Sequence, residues 1–295
     1  MQTVIERNQS IQSRFYDSNK YYLELERICL DSLRYEVMAW PKPGLVSPVD
    51  SGSHHDMHLG TFFSSIDALQ GSFAALAHAG ASGLTFTALQ KIGIEAERNM
   101  LDATGGINTH RGAIFNLGLL VAAAARKMSD SNLMHCSCGE VVAKLWGPDI
   151  LSGRDKVPSS HGNQAFEKFA KGGARMEAAS GFSTVYKIGL PVLNKLLQSG
   201  HDRDTSLIGT LMTLMEFLPD TNLLWRGGEE GLAFVNRSAA SFNLNGGVEA
   251  PYWQSSLLAM HHEFVAHNLS PGGSADLVAA TWAVHQIETI IKQSN

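Results

Sequence analysis

Ile114-Phe115-Asn116-Leu117-Gly118-Leu119-Leu120-Val121-Ala122-Ala123-Ala124-Ala125 is small and apolar nearly all round. A helix at a protein surface keeps a polar face, so a run of this kind reads as a buried central helix. Helical spacing continues on both sides of it. Leu25, Ile28, Cys29 and Leu33 share one face of a segment from about Tyr21 to Ala39, and Phe62, Phe63, Ile66, Leu69, Phe73 and Leu76 do so in the next. Thr85 is placed to cap a helix carrying Leu89, Ile92, Ala96 and Met100. Later faces are Leu193, Leu196 and Leu197, then Leu207, Ile208, Leu211, Leu214, Met215 and Leu218, then Leu257, Leu258, His261, Phe264 and Val265. The last helix carries Leu277, Val278, Trp282, Val284, Ile287 and Ile291. No alternating run of Val, Ile and Thr is long enough to build a sheet. The expected fold is all-α: a single multi-helix globular domain over 21–293, after a flexible N-terminal segment at 1–20.

With 295 residues, 44% of them hydrophobic and 17% charged, the chain can bury a sizeable core. A net charge of −5 argues against a nucleic-acid binder, which would carry a basic patch or stripe. It does not argue against a polyanionic small ligand, because a local cluster of Arg and Lys binds phosphate in an acidic protein. Three cysteines, Cys29, Cys136 and Cys138, are too few and odd for a disulfide framework, and the Cys136-Ser137-Cys138 pair has no second pair to complete a zinc site. Residues 1–19 carry Glu6, Arg7, Arg14 and Asp17 and no apolar segment, unlike a signal peptide. No apolar run reaches the roughly 18 residues of a membrane span. A cytoplasmic protein, with no membrane partner, is expected.

Five polar, glycine-rich segments lie between the apolar faces, and such loops carry function more often than cores do. Gly147 to Gly162 is a further candidate, as a long loop or lid. The first of the five holds Pro41-Lys42-Pro43-Gly44 and then His54-His55-Asp56-Met57-His58. Lys42 is a point charge suited to phosphate, and the His-Asp group suits metal binding or proton transfer. The second, Gly105-Gly106-Ile107-Asn108-Thr109-His110-Arg111-Gly112, leads into the apolar helix. Glycines at a helix start let backbone N–H groups approach an anion, and Arg111 adds a bidentate fork. The third holds His161-Gly162 and Lys171-Gly172-Gly173-Ala174-Arg175-Met176-Glu177, where Arg175 and Glu177 point to different faces. The fourth, Asp220-Thr221-Asn222 with Arg226-Gly227-Gly228, offers oxygen ligands of the kind Mg²⁺ prefers. The fifth is Ser270-Pro271-Gly272-Gly273-Ser274-Ala275-Asp276, with Ser274 as a cap and Asp276 in the first turn of the last helix. Each segment is also readable as a helix cap or a solvated turn. The chain has neither a phosphate-binding GxxxxGK[ST] nor a GxGxxG that opens a βαβ unit. Magnesium, a polyphosphate and acid–base chemistry in a helical protein is where these residues lead on their own.

Taken together and in order over roughly residues 20 to 290, these motifs resemble triphosphoribosyl-dephospho-CoA synthases. The resemblance rests on Pro41-Lys-Pro-Gly-Leu-Val, Gly52-Ser-His-His-Asp-Met, Gly106-Ile-Asn-Thr-His-Arg-Gly-Ala, and His161-Gly with Gly173-Ala-Arg-Met-Glu-Ala. It rests also on Asp220-Thr-Asn with Arg226-Gly-Gly, and on Ser270-Pro-Gly-Gly-Ser-Ala-Asp-Leu. It implies an all-α fold, Mg²⁺ as cofactor, and ATP and 3′-dephospho-CoA as substrates. The product would pass to a transferase acting on the acyl carrier subunit of malonate decarboxylase or citrate lyase. Residues 47–54 and 108–112 look closer to the malonate decarboxylase branch. One departure is His58, where the family is expected to carry an acidic residue. A homodimer is compatible with the sequence.

The implied reaction is a glycosyl transfer: the 2′-hydroxyl of dephospho-CoA attacks C1 of the ATP ribose and adenine leaves. By analogy with glycoside chemistry it passes through an oxocarbenium-like state, which needs an acid, a base and a carboxylate-rich wall. Asp56 and Asp220 are the first candidates for metal ligands or for that wall, and Glu177 and Asp276 for acid or base. His55 and His110 are candidate donors to adenine or phosphate. Lys42, Arg111, Arg175 and Arg226 would hold the triphosphate, with Asn108, His161, Asn222, Gly272, Gly273 and Ser274 completing the binding set. Two other readings stand beside this one: a magnesium-dependent helical ADP-ribosyl hydrolase or phosphohydrolase, and a non-catalytic helical binding protein for a carrier subunit.

Overall fold

The apolar run becomes the middle of a helix, Arg111–Ser129, in which every residue from Asn116 to Ala125 is buried. The computed structural model describes residues 2–152 and 173–293, and among these it has twelve α-helices and no strand. In chain order the first six are α1 (Gln2–Met38), α2 (Leu59–Ala68), α3 (Ser72–Ala81), α4 (Phe86–Ala103), α5 (Arg111–Ser129) and α6 (Cys138–Ser152). The rest are α7 (Ala174–Ala179), α8 (Leu190–Gln198), α9 (Arg203–Phe217), α10 (Thr221–Leu244), α11 (Trp253–Ala266) and α12 (Gly272–Gln293). A π-helical turn, Val185–Gly189, runs directly into α8.

The small side chains of α5 let its neighbours come close. A Cβ on Gly80 of α3 would lie 2.1 Å from the carbonyl oxygen of Ala122, so the two helices meet backbone to backbone. The α12 and α6 helices pack on other sides of α5, and α1 packs across α12 and α3. Leu25, Ile28, Cys29 and Leu33, the face expected of the first segment, are all buried against this layer. The α9 helix packs against α8, α10 and α12. Burial of this much aliphatic surface, at ~25 cal/mol per Å², is what opposes the entropy of ordering the chain.

Several boundaries differ from the spacing-based expectation. The α1 helix starts at Gln2, not near Tyr21. The face from Phe62 to Leu76 is two helices, because Gly71 takes φ 84° at the start of α3 and turns the chain. Gly147 to Ser152 is not loop but the end of α6, with Pro148 inside the helix. The remainder of that proposed lid, together with His161, Gly162, Lys171 and Gly172, lies outside the described residues. Asp276 is the fifth residue of α12 and lies past its first turn. Among the described residues, no helix is long and apolar enough to cross a membrane.

Candidate active site

The N-termini of α5, α7, α10 and α12 open on one cavity of about 1440 Å³. A helix N-terminus presents unpaired N–H groups and the positive end of the helix dipole, so their convergence favours a polyanion. Glu36 of α1, the loop around His54 and Asp56, and the α4 residue Glu97 complete the wall.

At the start of α5, Asn108 Oδ1 accepts from the Arg111 amide at 3.1 Å, and Arg111 Nε and Nη2 both donate to Glu97 Oε1. His110 occupies the N-cap position and is buried. Its Nδ1 lies 2.6 Å from Ser65 Oγ, while its Nε2 has no partner. Burial, with the positive charge of Lys42 nearby, pushes the imidazole down to about 3, so it is neutral. Four residues after Gly112 along the helix, the Asn116 side chain is 1% exposed and its Oδ1 is also without a partner.

The carboxyl of Asp276, from α12, lies directly on this helix start. A Cβ on Gly112 would be 2.0 Å from Asp276 Oδ2, which is why glycine stands there. Burial first, then the Asp220 and Glu36 carboxylates, raise Asp276 well above the usual carboxylate range, and the Ala113 amide opposes this only in part. Asp276 therefore favours its protonated form.

Asp220 is buried and fully engaged. As the cap of α10 it accepts from the Asn222 amide at 2.9 Å on Oδ1, and it takes the Ser274 amide at 2.8 Å and hydroxyl at 3.1 Å on Oδ2. It thus ties the starts of α10 and α12 together; Gly273 is needed because a Cβ there would lie 2.8 Å from Asp220 Oδ1. Burial raises its carboxyl, against these donors. Gly272 and Asn222 line the cavity beside it, whereas Ser274 is buried behind it.

Arg226 bolts two loops: Nη1 donates to Ser53 O at 2.9 Å and Asn268 Oδ1 at 2.8 Å, and Nη2 to His54 Nδ1 at 3.1 Å. His54 Nε2 lies 2.9 Å from Ser270 Oγ. With Nδ1 accepting from Arg226, His54 is neutral; burial and that guanidinium push it down to about 4. Exposed Asp56 lies 3.8 Å from the His54 ring. Just beyond Arg226, Gly228 (φ 63°) breaks α10 into two helical pieces.

On α7, Arg175 and Glu177 serve different partners, as their spacing predicts. Arg175 Nη1 donates to Ile150 O at 3.1 Å, and its guanidinium stands 6.0 Å from the Phe115 ring centre. Glu177 accepts from the Thr184 amide at 2.7 Å and hydroxyl at 2.8 Å, fixing the turn before α8.

Of the expected site residues, Asp56, Asn108, His110, Arg111, Arg175, Glu177, Asp220, Asn222, Arg226, Gly272, Gly273 and Asp276 line the cavity. Lys42 does not: it is buried, with Nζ at 2.6 Å from Glu36 Oε1 and 2.5 Å from Glu36 O. His55 is exposed and is not part of the cavity lining, whereas its neighbour His54 is. His58 caps α2: its Nδ1 accepts from the Thr61 amide at 3.4 Å. An Asp there would do the same work with a charge. Glu36, Glu97 and Asn116 were not expected in the site. Only Asn116 leaves a trace in the sequence, as the one polar side chain in an otherwise apolar run. Among the described residues no three His, Cys, Asp or Glu side chains stand together as a metal cage.

Comparison with known proteins fits this arrangement. Residues 23–295 match the model of a family described as ATP:dephospho-CoA triphosphoribosyl transferase. A probable 2-(5''-triphosphoribosyl)-3'-dephosphocoenzyme-A synthase of Acinetobacter calcoaceticus is 35% identical over 289 residues, covering 98% of both chains. A 2-(5''-triphosphoribosyl)-3'-dephosphocoenzyme-A synthase of Klebsiella pneumoniae is 40% identical over 261 residues, 85% of this chain and 86% of the relative. No solved structure is significantly similar to this chain. The family match spans more than nine-tenths of the chain and every cavity-lining element, so the protein belongs to the ATP:dephospho-CoA triphosphoribosyl transferase family and is a transferase.

Proposed function

We propose that this chain transfers the triphosphoribosyl group of ATP onto the 2′-hydroxyl of 3′-dephospho-CoA and releases adenine. The observation that carries this reading is the convergence of four helix N-termini on a cavity of about 1440 Å³. Pockets for one drug-sized ligand run to about 1,000 Å³, so this one has room for two nucleotides. The N–H-rich helix starts, with Arg111 and Arg175, suit the triphosphate, which is a handle and is not split. Binding energy from that remote group positions the ribose for attack.

Among the carboxylates on the wall, Glu36 is paired with Lys42, Glu97 with Arg111, and Asp220 and Glu177 are filled by N–H and O–H donors. Of the carboxylates screened from solvent, Asp276 is the least engaged, and its protonated form is the general acid for the leaving adenine. The C1–N bond breaks with its electrons moving to adenine, and Asp276 protonates a ring nitrogen. The proton lost by the attacking hydroxyl replaces, through solvent, the one that Asp276 gave up. The remaining carboxylates form the negative wall for the oxocarbenium-like state.

Mg²⁺ usually takes one or two carboxylates, substrate phosphates and water. The donor set here suits an ion that enters with the triphosphate, since Asp56 is open to solvent while both oxygens of Asp220 already accept hydrogen bonds. When bound, the ion would neutralise phosphate charge. Residues 47–54 and 108–112 support malonate decarboxylase, ahead of citrate lyase, as the system whose acyl carrier receives the product by way of a second transferase.

The test is chromatography of adenine, ADP and AMP after mixing protein, ATP, Mg²⁺ and dephospho-CoA. Adenine formed only with dephospho-CoA, alongside a heavier CoA product, is the expected outcome. Adenine or ADP formed without dephospho-CoA would assign the protein to hydrolases.

A further inference from the structure

Three cavity-lining residues at the start of α5 and along it carry a buried polar atom with no hydrogen-bond partner among the described residues: Thr109 Oγ1, a hydroxyl that can turn to suit a donor or an acceptor, and the more constrained His110 Nε2 and Asn116 Oδ1. Leaving such groups unpaired destabilises a fold, and native chains keep them where a ligand completes them. The acceptor on Asn116 does not suit a phosphate, which has no proton to give it. Asn116 presents its amide oxygen, an acceptor, and lies within a helix that is apolar on its other faces. His110 is packed edge-on against Phe62, with ring centres 5.0 Å apart. A flat, neutral group bearing an amine fits a wall of this kind.

We propose that Asn116, with His110 beside it, binds the adenine base that ATP loses. This rests on the transfer reading above and deepens it by assigning the base subsite. In this arrangement the adenine amine donates to Asn116 Oδ1, and a ring nitrogen meets the His110 edge. An asparagine amide reads adenine this way in other settings, pairing with its amine and adjacent ring nitrogen. Proximity decides between the two adenines available, since dephospho-CoA also carries one. Asp276 rests on Gly112, one helical turn of about 5.4 Å from Asn116, and only the departing base needs that acid.

Base release from ATP and from ITP, whose purine has a carbonyl in place of the amine, tests the assignment. Wild type should prefer ATP by at least about tenfold in kcat/KM, because a site that hydrogen-bonds a substrate group rejects the analogue lacking it. In Asn116→Leu and Asn116→Ala the preference should fall to within about threefold. Asn116→Leu should also melt no lower than wild type, since it removes an orphaned polar group; a purely structural asparagine would lose stability instead. Asn116→Ala covers the case in which leucine overpacks the site. An unchanged ATP/ITP ratio in both variants would overturn the proposal, and a raised KM for dephospho-CoA alone would move the subsite to the other adenine. Calorimetric binding of free adenine separates the two readings. Wild type that binds adenine through Asn116 and yet releases none from ATP with dephospho-CoA would keep the subsite and end the transfer reading.

Discussion

Asp276 has carboxylates on two sides, Asp220 and Glu36, and the Ala113 amide as its backbone donor. Burial comes before these carboxylates in raising its carboxyl well above the usual carboxylate range, which favours the protonated form that the proposed role as acid requires. Asp276→Asn keeps the size and removes the transferable proton. Adenine release should slow by about 10²–10⁴-fold, while the melting temperature holds or rises because a neutral amide of the same size replaces a buried group that can ionise. A wild-type rate in this variant would take Asp276 out of the chemistry. At this scale the sequence was partly misleading. Lys42, in a rigid Pro-Lys-Pro-Gly turn, reads as a phosphate contact, but its ammonium is buried on Glu36, six residues earlier in the chain. His54 and His55 are equivalent as letters. The turn at Gly52, anchored by Ser53 Oγ on Leu269 O at 2.6 Å, decides which of them lines the cavity.

Among elements, the junction of α3 and α5 sets the position of everything built on the α5 N-terminus. A Cβ on Gly80 would meet the Ala122 backbone at O, Cα and C, at 2.1, 2.5 and 2.6 Å, and none of these atoms can rotate away. Gly80→Ala should therefore destabilise by about 1–3 kcal/mol or more, read as a lower melting temperature. Gly93 in α4 is the control: no atom lies within 4 Å of its Cβ direction, so alanine there should stabilise by up to about 1 kcal/mol. Equal melting of the two variants would refute the close approach of α3 and α5. The same scale explains the glycine-rich segments. Read as loops, Asp220–Gly228 and Ser270–Asp276 become mostly helix, since α10 begins at Thr221 and α12 at Gly272. Their glycines serve close approach at helix starts, as Gly273 does for Asp220, more than turning.

For the whole molecule, the buried site groups pull stability in opposite directions with pH. His54 and His110 have lowered values, about 4 and about 3, so the unfolded chain takes up protons from about pH 6.5 downward while the folded one does not. Their contribution is lost as pH falls through that window. Asp276 is raised, so the folded form holds its proton to higher pH, and its contribution is lost as pH rises above the ordinary carboxylate value. Asp276→Asn removes one of the two raised carboxyls that oppose the histidines, Asp220 being the other. Its unfolding free energy, read from urea titrations, should rise more steeply with pH than that of wild type between about pH 4.5 and 6.5, by up to about 1.4 kcal/mol per unit of pH. Parallel profiles would mean that Asp276 does not titrate in this window. The sequence by itself determined the all-α class, the buried course of α5, the family, and the polar segments from which most of the expected site residues reach the cavity, because apolar periodicity and motif spacing are local properties of the chain. Only the tertiary structure decided that Lys42 and Ser274 lie behind the site, that Asp220 is a cap with both oxygens taken, and that Glu36, Glu97 and Asn116 belong to the wall. Those facts depend on which helix ends meet and which atoms are left unpaired, and close packing between segments far apart in sequence sets both.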